Sequence, residues 1–121
     1  MAPFRRPTNA ELAILRLLWD RGPSTVREVH DALGRRRAVR YTTTLKTLQV
    51  MHEKGLTLRE NHRGLHLHRA RHAEQDTLGR LVTDLIDRAF GGSASKLVIQ
   101  ALSNRRASPE DLREIKRLLD G

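Results

Sequence analysis

Apolar side chains along this chain follow two periods, one of three to four residues and one of two. The first stripe, Leu12, Leu15, Leu18 and Trp19, has helical spacing and follows Thr8-Asn9-Ala10-Glu11. That lead-in is a capping-box pattern, in which a hydroxyl and a carboxylate three residues apart exchange backbone hydrogen bonds. Gly22 and Pro23 end the run. A second box, Thr25 to Glu28, opens a helix that turns Val26, Val29 and Leu33 inward and ends at Gly34. A third helix begins near Tyr41, repeats Leu45, Leu48, Met51 and His52 at three- and four-residue steps, and closes at Gly55. Beyond Gly55 the period drops to two. Leu56, Leu58, Leu65 and Leu67 fall on one face and Thr57, Arg59, His66 and His68 on the other, predicting two half-buried strands around a turn at Asn61–Gly64.

Helical spacing returns from about His72. Leu78, Leu81, Val82, Leu85, Ile86, Ala89 and Phe90 form a broad apolar face that stops at Gly91–Gly92. A short helix follows, with Ser93 or Ser95 as cap and Leu97 within it. The last helix has Ser108 as cap, Pro109 in its first turn, and Leu112, Ile115, Leu118 and Leu119 on one side. Three helices followed by a basic hairpin is the order of a winged helix-turn-helix. The fold expected is therefore mostly α with a small β wing: a winged helix-turn-helix domain over 1–72 and a helical domain over 73–121. The second domain offers more apolar face than three short helices bury among themselves. A second copy of the chain is its expected cover, the alternative being that it folds back onto the first domain; Leu78, Leu81, Val82, Leu85, Ile86, Phe90, Leu97, Leu112, Ile115 and Leu119 are the expected dimerisation residues.

Composition sharpens this picture. The chain has 121 residues, and its aromatic content of 3% leaves few large core anchors, which again favours dimerisation. It has no cysteine, so disulfides and thiolate metal sites are excluded, and no apolar run reaches the roughly 18 residues of a membrane span. A cytoplasmic protein that does not insert into membranes is expected. The net charge is +9, and it is segregated: residues 1–72 hold 15 Lys/Arg against 6 Asp/Glu, while residues 73–121 hold 8 of each. A basic surface also serves solubility, but confinement of the whole excess to one part of the chain points to a polyanionic partner for that part.

The third helix gives that partner a point of contact. Threonine is a middling helix former, yet Arg40-Tyr41-Thr42-Thr43-Thr44-Leu45-Lys46-Thr47 packs four of them beside one lysine. At 100° per residue, Tyr41, Thr44, Leu45, Leu48, Met51 and His52 share the inner side. Thr42, Thr43, Lys46, Gln49, Val50 and Glu53 share the outer one, with Thr47 at the boundary. Short hydroxyl side chains allow close approach to a major groove, threonine and valine methyls meet thymine methyls, and glutamine pairs with adenine. Thr42, Thr43, Lys46, Thr47, Gln49 and Val50 are the expected base-reading set. Arg35, Arg36, Arg37 and Arg40 before the helix, with Arg59 and Arg63 in the wing, are the expected phosphate contacts; Arg63 at the hairpin tip could instead enter the minor groove.

His62, His66, His68 and His72 lie close in sequence but lack a carboxylate or thiol at ligand spacing, so no metal or other cofactor is expected. No nucleophile–base pair, glycine-rich phosphate loop or paired-acid motif is present, which argues against an enzyme. Two rival readings are an RNA- or protein-binding winged-helix module and a small-molecule sensor on the same scaffold. The first lacks stacking aromatics on the presented faces. The second has only Phe90 as an aromatic to line a pocket in the second domain.

Residues 11–33, the run Tyr41-Thr42-Thr43-Thr44-Leu45-Lys46-Thr47-Leu48, Glu53–Leu56, Arg59-Glu60-Asn61 with Gly64, and the segments starting at Phe90 and Ser108 together resemble the penicillinase-repressor (BlaI/MecI) family of bacterial regulators. The resemblance covers nearly the whole chain. It implies a homodimeric repressor on double-stranded operator DNA with TACA/TGTA-type halves, controlling β-lactamase, cell-wall or related stress genes. It also implies a membrane metalloprotease sensor as partner and a cleavage site that falls here at Gln100–Ala101. Relatives carry an Asn–Phe bond at that place, which this chain lacks. Val50 stands where relatives often have arginine, and the copper-responsive branch relies on cysteines absent here.

Overall fold

A computed structural model describes residues 5–34, 39–104 and 107–121. The described elements are α1 (Asn9–Arg21), α2 (Val26–Gly34), α3 (Tyr41–Glu53), β1 (Thr57–His62), β2 (Leu65–Ala70), α4 (Glu74–Ala89), α5 (Ala94–Asn104) and α6 (Pro109–Asp120). This is a mostly helical fold with one two-stranded antiparallel wing. The chain divides into two compact units, Met1–Leu81 and Val82–Gly121, with the division inside α4.

The first unit is built on one apolar cluster. Ile14, Leu15 and Leu18 of α1, Val29 of α2, Leu48 and Met51 of α3, and Leu56 are buried together, with Leu17, Trp19, Val26, Leu33 and Ala70 against them. Each fully buried aliphatic side chain contributes about 1.5–3 kcal/mol. Both predicted capping boxes form. Thr8 Oγ1 accepts from the Glu11 amide at 3.2 Å while Glu11 Oε1 accepts from the Thr8 amide at 2.9 Å. The Thr25–Glu28 pair repeats this at 3.1 and 2.9 Å.

The two boxes differ in what surrounds them. Glu28 is exposed, whereas Glu11 is buried and also accepts from Lys54 Nζ at 2.9 and 3.0 Å. Burial alone would raise the Glu11 pKa. The Thr8 backbone hydrogen bond and the Lys54 ammonium outweigh it, so the carboxyl titrates below its ordinary 4.5. Lys54 is the C-cap residue of α3, so this one carboxylate fastens the start of α1 to the end of α3.

After Lys54, Gly55 takes φ +80 and the chain turns into β1. The strands pair from Thr57↔Ala70 to His62↔Leu65. A reciprocal backbone bridge anchors the wing to the α1–α2 turn: the Ser24 amide donates to the His68 carbonyl at 2.9 Å, and the His68 amide to the Ser24 carbonyl at 2.7 Å. Trp19 Nε1 donates to the His72 carbonyl at 3.0 Å and ties the chain leaving the wing to α1.

The strand register keeps the two predicted sets of residues on separate faces, but the face turned inward is the polar one, and burial fades from the base of the hairpin to its tip instead of alternating. Thr57 and His68 are buried, Leu58 and Leu67 are half-buried, and Leu65 is 61% exposed. The cause is the bend at Leu56. Leu56 is buried before the strand starts, so counting alternate residues onward from it carries the wrong parity into β1. The inner face instead holds Thr57 Oγ1 and His68 Nδ1, two buried polar atoms without a hydrogen-bond partner among the described residues.

In the second unit, Gly91 and Gly92 take positive φ after α4, and the Gly92 amide donates back to the Ile86 carbonyl at 3.0 Å. Ser93 caps α5 through the Lys96 amide, and Ser108 with Asp111 forms a full capping box on α6. No residue described in α5 or α6 is buried. No helix among the described residues is long and apolar enough to cross a membrane.

Two measurements check the fold's polar joints. Glu11→Ala removes a cap and strands the Lys54 ammonium, so chemical denaturation should show a loss of about 2–4 kcal/mol; Glu28→Ala, at the surface, should lose a small fraction of that. His68 is held below its ordinary 6.5 by burial and by the charges of Arg59, His66 and His52. A lowered histidine pKa means the unfolded chain binds the proton more readily. Stability from His68 is therefore complete above about pH 6.5 and lost as pH falls below it. The denaturation midpoint should hold from about pH 8 to 7 and decline toward about pH 5, above the range where Glu11 titrates, and His68→Gln should flatten that decline.

Candidate nucleic-acid interface

The buried side of α3 fixes which residues remain to face outward. Thr44, Leu48 and Met51 are buried, with Leu48 and Met51 at 0% exposure, and Tyr41, Leu45 and His52 are half-buried. Thr42, Thr43, Lys46, Gln49 and Glu53 are exposed as the 100° wheel predicts. Val50, expected outside, is half-buried like Thr47, because it lies at the margin of the packed side. α3 thus presents two hydroxyls, an ammonium, a carboxamide and, at its far end, a carboxylate from a helix whose reverse side cannot rotate away without opening the core.

Hydrogen bonds further define that face. Thr47 Oγ1 donates to the Thr43 carbonyl one turn earlier at 2.8 Å. Thr44, the threonine on the inner side, has Oγ1 at 3.0 Å from His30 Nδ1 of α2. Tyr41 lies edge-to-face with His30 at 5.5 Å and 83°, and Arg27 places its guanidinium carbon 4.4 Å from the centre of the Tyr41 ring. Sequence reading missed Arg27, His30 and the Glu11–Lys54 pair. The helical wheel places Tyr41 inward, but no spacing rule indicates what it packs against. At the N-cap, Arg40 has extended backbone and no side-chain capping bond, and its own side chain is exposed.

The wing contributes two of the expected arginines. Arg59 is exposed and pairs across the strands with His68. Arg63 is exposed at the tip, in a two-residue turn with Gly64 where both residues have positive φ, +52 and +84. Asn61 Oδ1 accepts from the Gly64 amide at 3.1 Å and stabilises the turn. An arginine is a poor residue for the left-handed region, where glycine or asparagine is favoured. Its presence there is not explained by the needs of the turn. Arg35, Arg36 and Arg37 lie outside the described residues. Of the four histidines close in sequence, His62, His66 and His72 are exposed and His68 is buried, so His66 and His68, predicted on one strand face, differ in exposure. Among the described residues no three potential ligands are grouped to hold a metal ion.

Of the apolar residues assigned to dimerisation, half are exposed and none is buried. Leu78, Val82, Leu85, Leu112 and Leu119 are exposed, Leu119 to 80%, and Leu81, Ile86, Phe90, Leu97 and Ile115 are half-buried. Gln100 and Ala101 are exposed positions within α5, and the Gln100 carboxamide donates to Asn104 Oδ1 at 3.1 Å.

Comparison with known proteins agrees with the resemblance drawn from the motifs. The model of the penicillinase repressor family matches residues 7–121, and the chain belongs to that family. It is similar to two curated proteins described as transcriptional regulator BlaI, from Mycobacterium tuberculosis strains CDC 1551 / Oshkosh and ATCC 25618 / H37Rv. Each is 34% identical over 90 residues, which cover 74% of this chain and 65% of the relative's length. The family is one of transcriptional regulators.

The strained wing tip is directly testable. Arg63→Asn should leave thermal stability unchanged or raise it by up to about 1 kcal/mol, because asparagine tolerates the left-handed conformation better. A clear loss of stability would show that the arginine supports the turn itself.

Proposed function

We propose that this penicillinase-repressor family member acts as a homodimeric, sequence-specific repressor that places the outer face of α3 in the DNA major groove. The observation that carries the reading is the contrast across α3: Leu48 and Met51 are wholly buried, while Thr42, Thr43, Lys46 and Gln49 stand exposed on the other side. Hydroxyl, ammonium and carboxamide groups match the donor and acceptor pattern of base edges and the oxygens of phosphates. Arg40, Arg59 and Arg63, with Arg35, Arg36 and Arg37, are the proposed contacts to the DNA backbone. Arg63 fits this role best, since its backbone is held in a conformation arginine does not favour.

Dimerisation is supported by the uncovered leucines of α4 and α6 and by the lack of buried residues in α5 and α6. Exposed apolar area of this kind is stabilised by a matching surface, and a second copy supplies one with two-fold symmetry. A dimer reads an operator as two related halves about one helical turn, roughly 34–36 Å, apart. β-Lactamase or cell-wall genes are the proposed targets, on the strength of the family. If a sensor protease acts between Gln100 and Ala101, α5 must first unwind there, because both residues are helical.

Footprinting on the DNA upstream of the protein's own coding region, with sedimentation to give the assembly state, tests the proposal. A dimer protecting two half-sites is expected. Lys46→Ala and Thr43→Ala should each weaken operator binding by about 1–3 kcal/mol and binding to unrelated duplex much less. Equal losses on both duplexes, or a monomer that protects nothing, would contradict the reading.

A further inference from the structure

Arg27 is given no DNA contact in the reading above, yet this exposed arginine is held against a specific partner. It is the second residue of α2, with Glu28 beside it and Asp31 one turn along. Helical geometry would allow an ion pair with Asp31. None forms: among the described residues no carboxylate pairs with Arg27, and Glu28 is engaged by the Thr25 amide at 2.9 Å. The guanidinium instead lies over Tyr41, 4.4 Å from the ring centre.

Tyr41 is the first residue of α3 and immediately precedes Thr42 and Thr43. It is held from the α2 side by His30, edge-on at 5.5 Å, and His30 is itself fixed by Thr44 Oγ1 at 3.0 Å. The ring is therefore a platform set by two helices at once. A guanidinium stacked on an aromatic face keeps the donors along its edges available while losing rotational freedom. Planar, pre-oriented donors of that type suit phosphate oxygens. They stand here beside the end of α3 that carries the exposed threonines.

We propose that Arg27 is a phosphate-binding residue of the DNA interface and that Tyr41 is the positioning residue that orients it, an assignment that rests on the reading of α3 as the DNA-facing helix. The alternative is that the Arg27–Tyr41 stack only braces α2 against α3. Salt dependence separates these roles, because a phosphate contact releases counterions and a brace does not.

The test measures affinity of the full chain for the upstream duplex and for an unrelated duplex of equal length, with thermal unfolding as a check on folding. Arg27→Gln should weaken both duplexes by the same factor. Its wild-type-to-variant affinity ratio should shrink about 3.5-fold between about 50 and about 200 mM salt, as expected for the loss of one phosphate contact. Tyr41→Phe should bind like wild type, because the ring is retained. Tyr41→Leu should weaken binding in the Arg27 background and add little once Arg27→Gln is present. An unchanged salt slope for Arg27→Gln, or a loss confined to the upstream duplex, overturns the role of Arg27. Additive losses from Tyr41→Leu and Arg27→Gln overturn the role of Tyr41. Failure of the wild-type chain to bind either duplex overturns both this assignment and the reading of α3.

Discussion

One buried carboxylate sets the frame of the first unit. Glu11 closes the amino end of α1 through Thr8 and receives Lys54 from the far end of α3, so two elements 43 residues apart share one charge. A buried ion pair adds little net stability compared with well-packed apolar groups, but it penalises every arrangement that separates its partners. Here the penalised arrangements are those in which α3 rotates or slides relative to α1. The apolar cluster makes the unit compact, while the ion pair, the Ser24–His68 bridge and the Thr44–His30 contact select one compact arrangement.

The consequence for α3 is an outer face with little freedom. Its inner residues are buried, its amino end is stacked against α2 through Tyr41, and its carboxyl end is tied to α1 through Lys54. Thr42, Thr43, Lys46 and Gln49 are thus carried on a rigid support and need no rearrangement of backbone to meet a flat or grooved partner. The second unit follows a different logic. Its helices are well capped by Ser93 and by Ser108 with Asp111, yet they leave leucines at the surface. Capping determines where those helices begin, not what covers them.

Where local chemistry determines structure, the sequence was legible. Both N-terminal capping boxes, the turns at Gly22, Gly55 and Gly91–Gly92 and the Ser108 cap form as their residue types indicate. The inner and outer sides of α3 were readable because helical phase runs unbroken from Tyr41 to Glu53. The two faces of the hairpin were readable but not which of them turns inward, since the bend at Leu56 resets the parity and lets polar Thr57 and His68 occupy the inside at its base. Contacts between distant segments were not legible. Nothing in spacing couples Glu11 to Lys54, or sets Arg27 on Tyr41, because those pairings depend on how α1, α2 and α3 are brought together.

The hydroxyl of Thr47 illustrates how backbone geometry edits side-chain chemistry. Its proton is committed to the Thr43 carbonyl, so this residue can offer a visitor only lone pairs and a methyl group. Thr42 and Thr43 carry no such commitment to the helix among the described bonds, and Lys46 is a donor without exception. Adjacent positions therefore speak with different voices: Thr42, Thr43 and Lys46 can donate, whereas Thr47 is an acceptor with a greasy edge. A threonine-to-serine exchange at 47 would keep the committed proton and erase only the methyl, isolating a single carbon atom's share in discrimination.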